Sequence, residues 1–303
     1  MTRRLSQEEL LRRKESLYAL LSPCRLCPRE CGVDRKKEKG YCGGSWKVKI
    51  ASFSPHFGEE KELVGRGGSG TIFFSGCNLK CVFCQNYDIS ILEEGEEIEP
   101  EKLAQIMLVL KKLGCHNINL VTPTHFVPQI VDALIIAWEK GLDLPIVYNC
   151  GGYEKVETLK LLEGIIDIYM PDIKYGSSLP GQAYSHVPDY WEIVKKAVKE
   201  MHRQVGDLVV EKGIAKKGLL VRHLVMPNKV AESERVFKFL AEEISPHTYV
   251  NIMDQYRPLY HAHLFPEIAR PITSEEYLDA INKAKSYGLY RGFPTESRRF
   301  LIF

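Results

Sequence analysis

The chain has 303 residues, enough for one large α/β domain or two smaller ones, and its 45% hydrophobic share supports a full core. Lysine plus arginine number 41 against 39 aspartate plus glutamate, so no charge excess points to nucleic acid or a membrane surface as a partner. The N-terminal residues carry charge throughout without an apolar signal core, and no apolar run reaches bilayer-spanning length, so a cytoplasmic protein is expected. In that compartment thiols stay reduced, and the nine cysteines are read as metal or redox groups before disulfides.

Residues 6–21 read as an amphipathic helix. Ser6 and Glu9 have capping-box spacing, Leu10, Leu11, Leu17, Tyr18 and Leu21 share a face, and Pro23 ends the pattern. Next come Cys24, Cys27, Cys31 and Cys42, spaced C-x2-C-x3-C-x10-C. Four thiols so close are a metal signal, and both zinc and an iron–sulfur cluster satisfy it. Segment 1–50 is therefore expected to be a helix plus a cysteine-rich extension, with residues 51–303 forming the main domain. His56, Glu59 and Glu60 precede the first strand in a segment expected to be a solvated loop.

From residue 71 short apolar runs alternate with longer helical patterns. Strands are expected at 71–75, 117–121, 145–149, 165–170, 219–225 and 249–253. Helices are expected at 100–113, 126–140, 154–162, 189–205, 231–243 and 274–287, with Pro100 suited to a first helical position and Gly114, Gly141, Gly206 and Gly288 to helix ends. Six such units imply a parallel sheet, either open and doubly wound or rolled into a (β/α) barrel. No Gly-x-Gly-x-x-Gly turn follows the first strand, which disfavours the dinucleotide-binding version.

A cysteine triplet occupies that turn instead. The stretch GSGTIFFSGCNLKCVFCQN places Cys77, Cys81 and Cys84 on the loop after the first strand, where α/β folds build active sites. Thiolates suit zinc or iron–sulfur clusters. A cubane held by only three cysteines leaves one iron open to a substrate or cofactor.

The C-x3-C-x2-C loop, with the aromatic Phe83 before its last cysteine, resembles the signature of the radical S-adenosylmethionine (SAM) superfamily. The stretches SPCRLCPRECGVDR, HNINLVTPTHFVPQI, PIVYNCGGYE, DIYMPDIKY, RHLVMPN and NIMDQYRP look like the PflX group, related to pyruvate formate-lyase activating enzymes. The resemblance implies a partial (β/α)6 barrel. It also implies a [4Fe–4S] cluster on Cys77, Cys81 and Cys84 that reductively cleaves SAM to a 5′-deoxyadenosyl radical. A low-potential donor of the flavodoxin or ferredoxin type would supply the electron, and a protein, peptide or small molecule the hydrogen atom.

Asp172 and Lys174 in PDIKY, and Arg222 in the fifth strand, resemble cofactor-facing residues of the activating enzymes, with Asn149 and Gln255 further candidates of that kind. Many relatives carry Gly-Gly-Glu after the second strand. Here TPTH stands there, and Thr122, Thr124 or His125 is the expected substitute. For the N-terminal cysteines the family suggests an electron-relaying cluster as readily as a structural zinc. The competing function is a two-cluster electron carrier without SAM chemistry. Cys115 and Cys150 read as core cysteines, His261 and His263 as packing or substrate contacts, and the Gly-, Pro- and Ser-rich segment 175–188 as a lid loop.

Overall fold

The computed structural model describes residues 5–294. Its strands are β1 (Val48–His56), β2 (Ser69–Phe74), β3 (Glu96–Ile98), β4 (Ile118–Val121) and β5 (Ile146–Cys150), then β6 (Ile168–Pro171), β7 (Val209–Glu211), β8 (Ile214–Leu224) and β9 (Tyr249–Met253). The order β2-β4-β5-β6-β8-β9 is parallel throughout, and these six are the strands expected from sequence. All five residues of β5 and all four of β6 are buried, as expected for strands covered on both faces. Each parallel strand feeds a helix, including Pro100–Lys112, Val127–Glu139, Tyr190–Val205 and Ser274–Ser286. The result is a partial (β/α)6 barrel. Among the described residues no helix is long and apolar enough to cross a membrane.

Three strands depart from the sequence reading. β1 and β3 extend the sheet beyond β2 in antiparallel fashion, and β7 folds back on β8 as a hairpin. β8 also begins at Ile214, five residues before the expected start, because the Lys216–Lys217 stretch pairs with exposed β7 rather than with the core. β1 starts at Val48, inside segment 1–50.

The N-terminal helix, Gln7–Ala19, begins where Ser6 Oγ accepts from the Glu9 N–H at 3.2 Å. Glu9 turns its own carboxylate to Arg12 and Arg13. The helix docks on Val127–Glu139, with Lys14 and the Tyr18 hydroxyl both reaching Asp132. Segment 175–188 is not an open loop. It holds a helix, Ser178–Ser185, that buries Pro180, Gly181, Tyr184 and Ser185 against its neighbours.

Inside the barrel the side-chain period of two organises everything that matters for function. Val147 on β5, Ile168 and Met170 on β6, and Leu220 on β8 join Leu63 in a buried apolar plug. Two residues further along each strand the same inward register reaches Asn149, Asp172 and Arg222. The barrel floor is thus apolar and its upper end polar.

Candidate active site

A cavity of about 370 Å³ opens at the C-terminal ends of the parallel strands, within the size range of small-molecule sites. Every parallel strand contributes to it. Cys77, Cys81 and Cys84 follow β2, Thr122 follows β4, Asn149 and Cys150 end β5, Asp172 and Lys174 follow β6, Arg222 lies on β8, and Gln255 follows β9. All of the expected triplet and cofactor residues therefore meet in one place.

The triplet loop is tied down at each sulfur. Leu79 N–H donates to Cys77 Sγ at 3.4 Å, Cys81 Sγ stands 3.0 Å from Ser185 Oγ, and Cys84 Sγ stands 3.1 Å from Ser90 Oγ. Ser185 belongs to the short helix Ser178–Ser185, so the segment expected to be a lid is part of the thiol surroundings. Phe83 is buried between Tyr175 and Tyr256. Gly76 starts the loop with φ +89°, and a Cβ there would come within 2.2 Å of the Cys42 carbonyl oxygen. Burial pushes the Cys77 thiol up and the Cys81 thiol up to about 12, so a metal would have to displace their protons.

Opposite the thiols lies a charge network centred on Arg222. Its Nε donates to Asp172 Oδ1 at 2.7 Å, Nη2 to Asn149 Oδ1 at 2.8 Å, and Nη1 reaches Glu59 Oε2 at 3.3 Å. Lys174 Nζ donates to the other Asp172 oxygen at 2.8 Å, and the Tyr190 hydroxyl accepts from the Lys174 N–H. Burial alone would raise Asp172, but Arg222 and Lys174 hold it down at about 2. Burial would likewise lower Lys174, and Asp172, followed by Cys81, keeps it raised instead. Burial pushes Glu59 up against the pull of Arg222. Glu59 and His56 line the cavity, a correction to the solvated-loop reading, while Glu60 turns away to accept from Asn251 Nδ2.

The TPTH turn separates into different roles. Thr122 borders the cavity with φ +60°, an unusual conformation for a β-branched residue, and its N–H donates to the Asn149 carbonyl at 2.8 Å. Thr124 and His125 are buried away from the cavity, because the turn winds into the helix behind it. His125 Nε2 pairs with the Ser75 carbonyl at 2.7 Å, and burial lowers its pKa to about 3. It does not line this cavity, and it is buried. The Thr124 hydroxyl donates to Glu154 Oε1, and the Tyr148 hydroxyl to Glu154 Oε2 at 3.0 Å. Burial raises this carboxyl to about 7.

Glu154, Cys150 and Arg257 had no assigned role in the sequence. Cys150 and Arg257 line the cavity, and their strand-end positions on β5 and after β9 were the available signal. Glu154 and Ser185 carried none, since only packing brings Ser185 to Cys81 and Glu154 to Thr124 and Tyr148. His261 and His263 lie at a turn, their ring centroids 6.2 Å apart, with His263 Nδ1 against the Tyr260 carbonyl. Cys115 is buried without a cavity contact, as expected.

The four N-terminal cysteines border a separate cavity of about 10 Å³ with Arg29, Arg35, Tyr41 and His125. Burial pushes the Cys24, Cys27 and Cys42 thiols up. Among the described residues no three His, Cys, Asp or Glu side chains are gathered tightly enough to hold a single metal ion. For the triplet, sulfurs spread around the end of a cavity suit a group with several attachment points better than one central ion.

Three thiols facing a polar, strand-end cavity in a partial (β/α)6 barrel define a class of iron–sulfur, SAM-binding barrels. The family model of the radical SAM superfamily matches residues 71–240, and the chain belongs to that superfamily. It is similar to two uncharacterized proteins of Methanocaldococcus jannaschii. One is 35% identical over 88% of this chain and 75% of its own length, and the other 26% identical over 84% and 78%. Among solved structures it is similar to native anSMEcpe with bound AdoMet and Cp18Cys peptide, at TM-score 0.48 and 12% identity. That match covers 70% of this chain and 56% of the other, so the chain spans little more than half of that protein.

Proposed function

We propose that this protein is a radical SAM enzyme of the PflX group, acting on a protein or peptide. The observation that carries the reading is the convergence of all six parallel strands on one cavity beside three thiols. Cys77, Cys81 and Cys84 would hold a [4Fe–4S] cluster, and their sulfur-side partners Leu79, Ser185 and Ser90 are the kind of hydrogen bonds that tune one. When bound and reduced, the cluster supplies the electron that cleaves SAM into methionine and a 5′-deoxyadenosyl radical.

The protein's own contribution is to bind, orient and exclude water. An ionised carboxylate offers about four lone-pair sites, and Arg222 and Lys174 occupy two on Asp172. Lys174 uses one of its three donors on the same group. Asp172 therefore keeps capacity for an ammonium and Lys174 for a carboxylate, the two ends of the methionine portion of SAM. Arg222 fixes Asp172 and Asn149 from two other strands, so this pair is pre-oriented. Leu79, Phe74 and Phe83 give the cavity its apolar wall. A two-cluster electron carrier would have no use for this paired anion and cation.

The electron donor is proposed to be a flavodoxin or ferredoxin, and the compartment the cytosol, in keeping with nine cysteines that form no disulfide. The test is anaerobic reconstitution followed by dithionite reduction and assay for 5′-deoxyadenosine. A reconstituted cluster that leaves SAM intact would sink the proposal. Transfer of deuterium from labelled candidate proteins into 5′-deoxyadenosine would identify the hydrogen donor.

A further inference from the structure

The four N-terminal cysteines stand outside the active-site cavity, and the proposed chemistry does not use them. Their surroundings are nevertheless built around a charge. Arg35 enters the small cavity they share and is only 2% exposed. Its Nη1 lies 3.5 Å from Cys42 Sγ and 3.7 Å from Cys24 Sγ. Nη2 donates to the carbonyls of Ser45 at 3.2 Å and His125 at 3.0 Å, while Nε is buried with no partner. Among the described residues Arg35 has no carboxylate partner. Gly44 makes the approach possible, since a Cβ there would fall 2.1 Å from Nη2.

An arginine remains charged in a folded protein, and a buried charge with no counter-charge is expensive. Two neutral thiols do not supply one. Thiolates do, and thiolates persist in a buried site when a metal holds them. The guanidinium is therefore placed for an anionic sulfur group that only metal loading creates.

We propose that Cys24, Cys27, Cys31 and Cys42 form a second, closed thiolate metal centre, with Arg35 as its fixed counter-charge. The ligand class is a thiophilic metal: an iron–sulfur cluster, which offers each separated sulfur its own attachment point, or one zinc ion, around which the four side chains would have to close from where they stand. Four protein thiolates fill its coordination, so it has no open position for SAM. The centre also braces the active site, because the Cys42 carbonyl accepts from the Cys77 N–H at 3.0 Å. None of this depends on what the larger cavity binds.

The test uses the full chain, purified anaerobically and loaded in turn with zinc and with iron plus sulfide. Cys77→Ala/Cys81→Ala/Cys84→Ala isolates the second centre. This variant should retain about one zinc or about four irons per chain, and the metal retained identifies the centre. Adding Cys24→Ala and Cys42→Ala should remove it. In the otherwise intact protein, Cys24→Ala/Cys31→Ala should lower metal content by the same amount and leave the cavity cluster in place, a check should the first variant misfold. Arg35→Met should weaken metal retention against a chelator about tenfold or more, with Arg35→Lys intermediate. Equal metal content in wild type and Cys24→Ala/Cys31→Ala would overturn the centre. Unchanged retention in Arg35→Met would overturn the counter-charge. Loss of SAM cleavage alone bears on the cavity and not on this centre.

Discussion

Two cysteine sets lie a few residues apart in space and are built on opposite principles. Cys77, Cys81 and Cys84 border a cavity of about 370 Å³ that also holds an anion and a cation at the end of β6. Cys24, Cys27, Cys31 and Cys42 border about 10 Å³ and face Arg35, whose Nη1 lies against Cys42 and Cys24. Three thiols with space leave a coordination position to be used. Four thiols without space leave none. What distinguishes a reactive centre from a closed one is what stands opposite the sulfurs.

The sharpest break in that comparison comes from the thiols themselves. Cys81→Ala should reduce 5′-deoxyadenosine formation to the protein-free level while leaving N-terminal metal untouched, as read by product assay and metal analysis. Next in size is Arg222→Ala. It strips Asp172 and Glu59 of their shared cation, and breaking such a partly buried network should cost about 3 kcal/mol in guanidinium unfolding, along with weakened SAM binding.

Glu154 is bonded to Thr124, the neighbour of His125, and to Tyr148 on β5. Burial raises its folded pKa to about 7 from an ordinary 4.5, so the protonated form is the one the fold favours. The stability it contributes is full below about pH 4.5 and is lost as the pH rises to about 7. Glu154→Gln should flatten that fall, worth up to about 3 kcal/mol, in melts of both proteins on either side of the window. The smallest effect is expected from Ser6→Ala. Loss of the cap on the N-terminal helix should cost about 1 kcal/mol by calorimetry and change metal content at neither centre.

The elements legible from sequence were those whose burial writes an unbroken apolar run. β5 and β6 are of this kind, and so were located to within a few residues. β1 was missed because its middle, Ser52–Phe53–Ser54, is exposed at the sheet's antiparallel margin, and β3 because Glu96–Glu97–Ile98 is short and charged. The site was legible wherever a chemical group sits at a strand end, as Asn149, Asp172 and Arg222 do. His125 was misplaced because TPTH coils into a buried turn instead of extending toward the cavity. Ser185 escaped notice because a helix far along the chain brings it to Cys81. Arg35 escaped because a charge in a charged segment looks solvated until the fold buries it.

The inward register of the barrel has a consequence for how the protein comes into being. The thiol loop is complete at Cys84, yet its counter-groups arrive with Asn149, Asp172, Arg222 and Gln255. During synthesis Cys84 leaves the ribosome 65 residues before Asn149, 88 before Asp172, 138 before Arg222 and 171 before Gln255. On the proposed reading, a chain interrupted before Asp172 has the thiols but neither member of the pair assigned to SAM. Strand order thus leaves the cavity wall incomplete until β9 supplies Met253 and the residues after it.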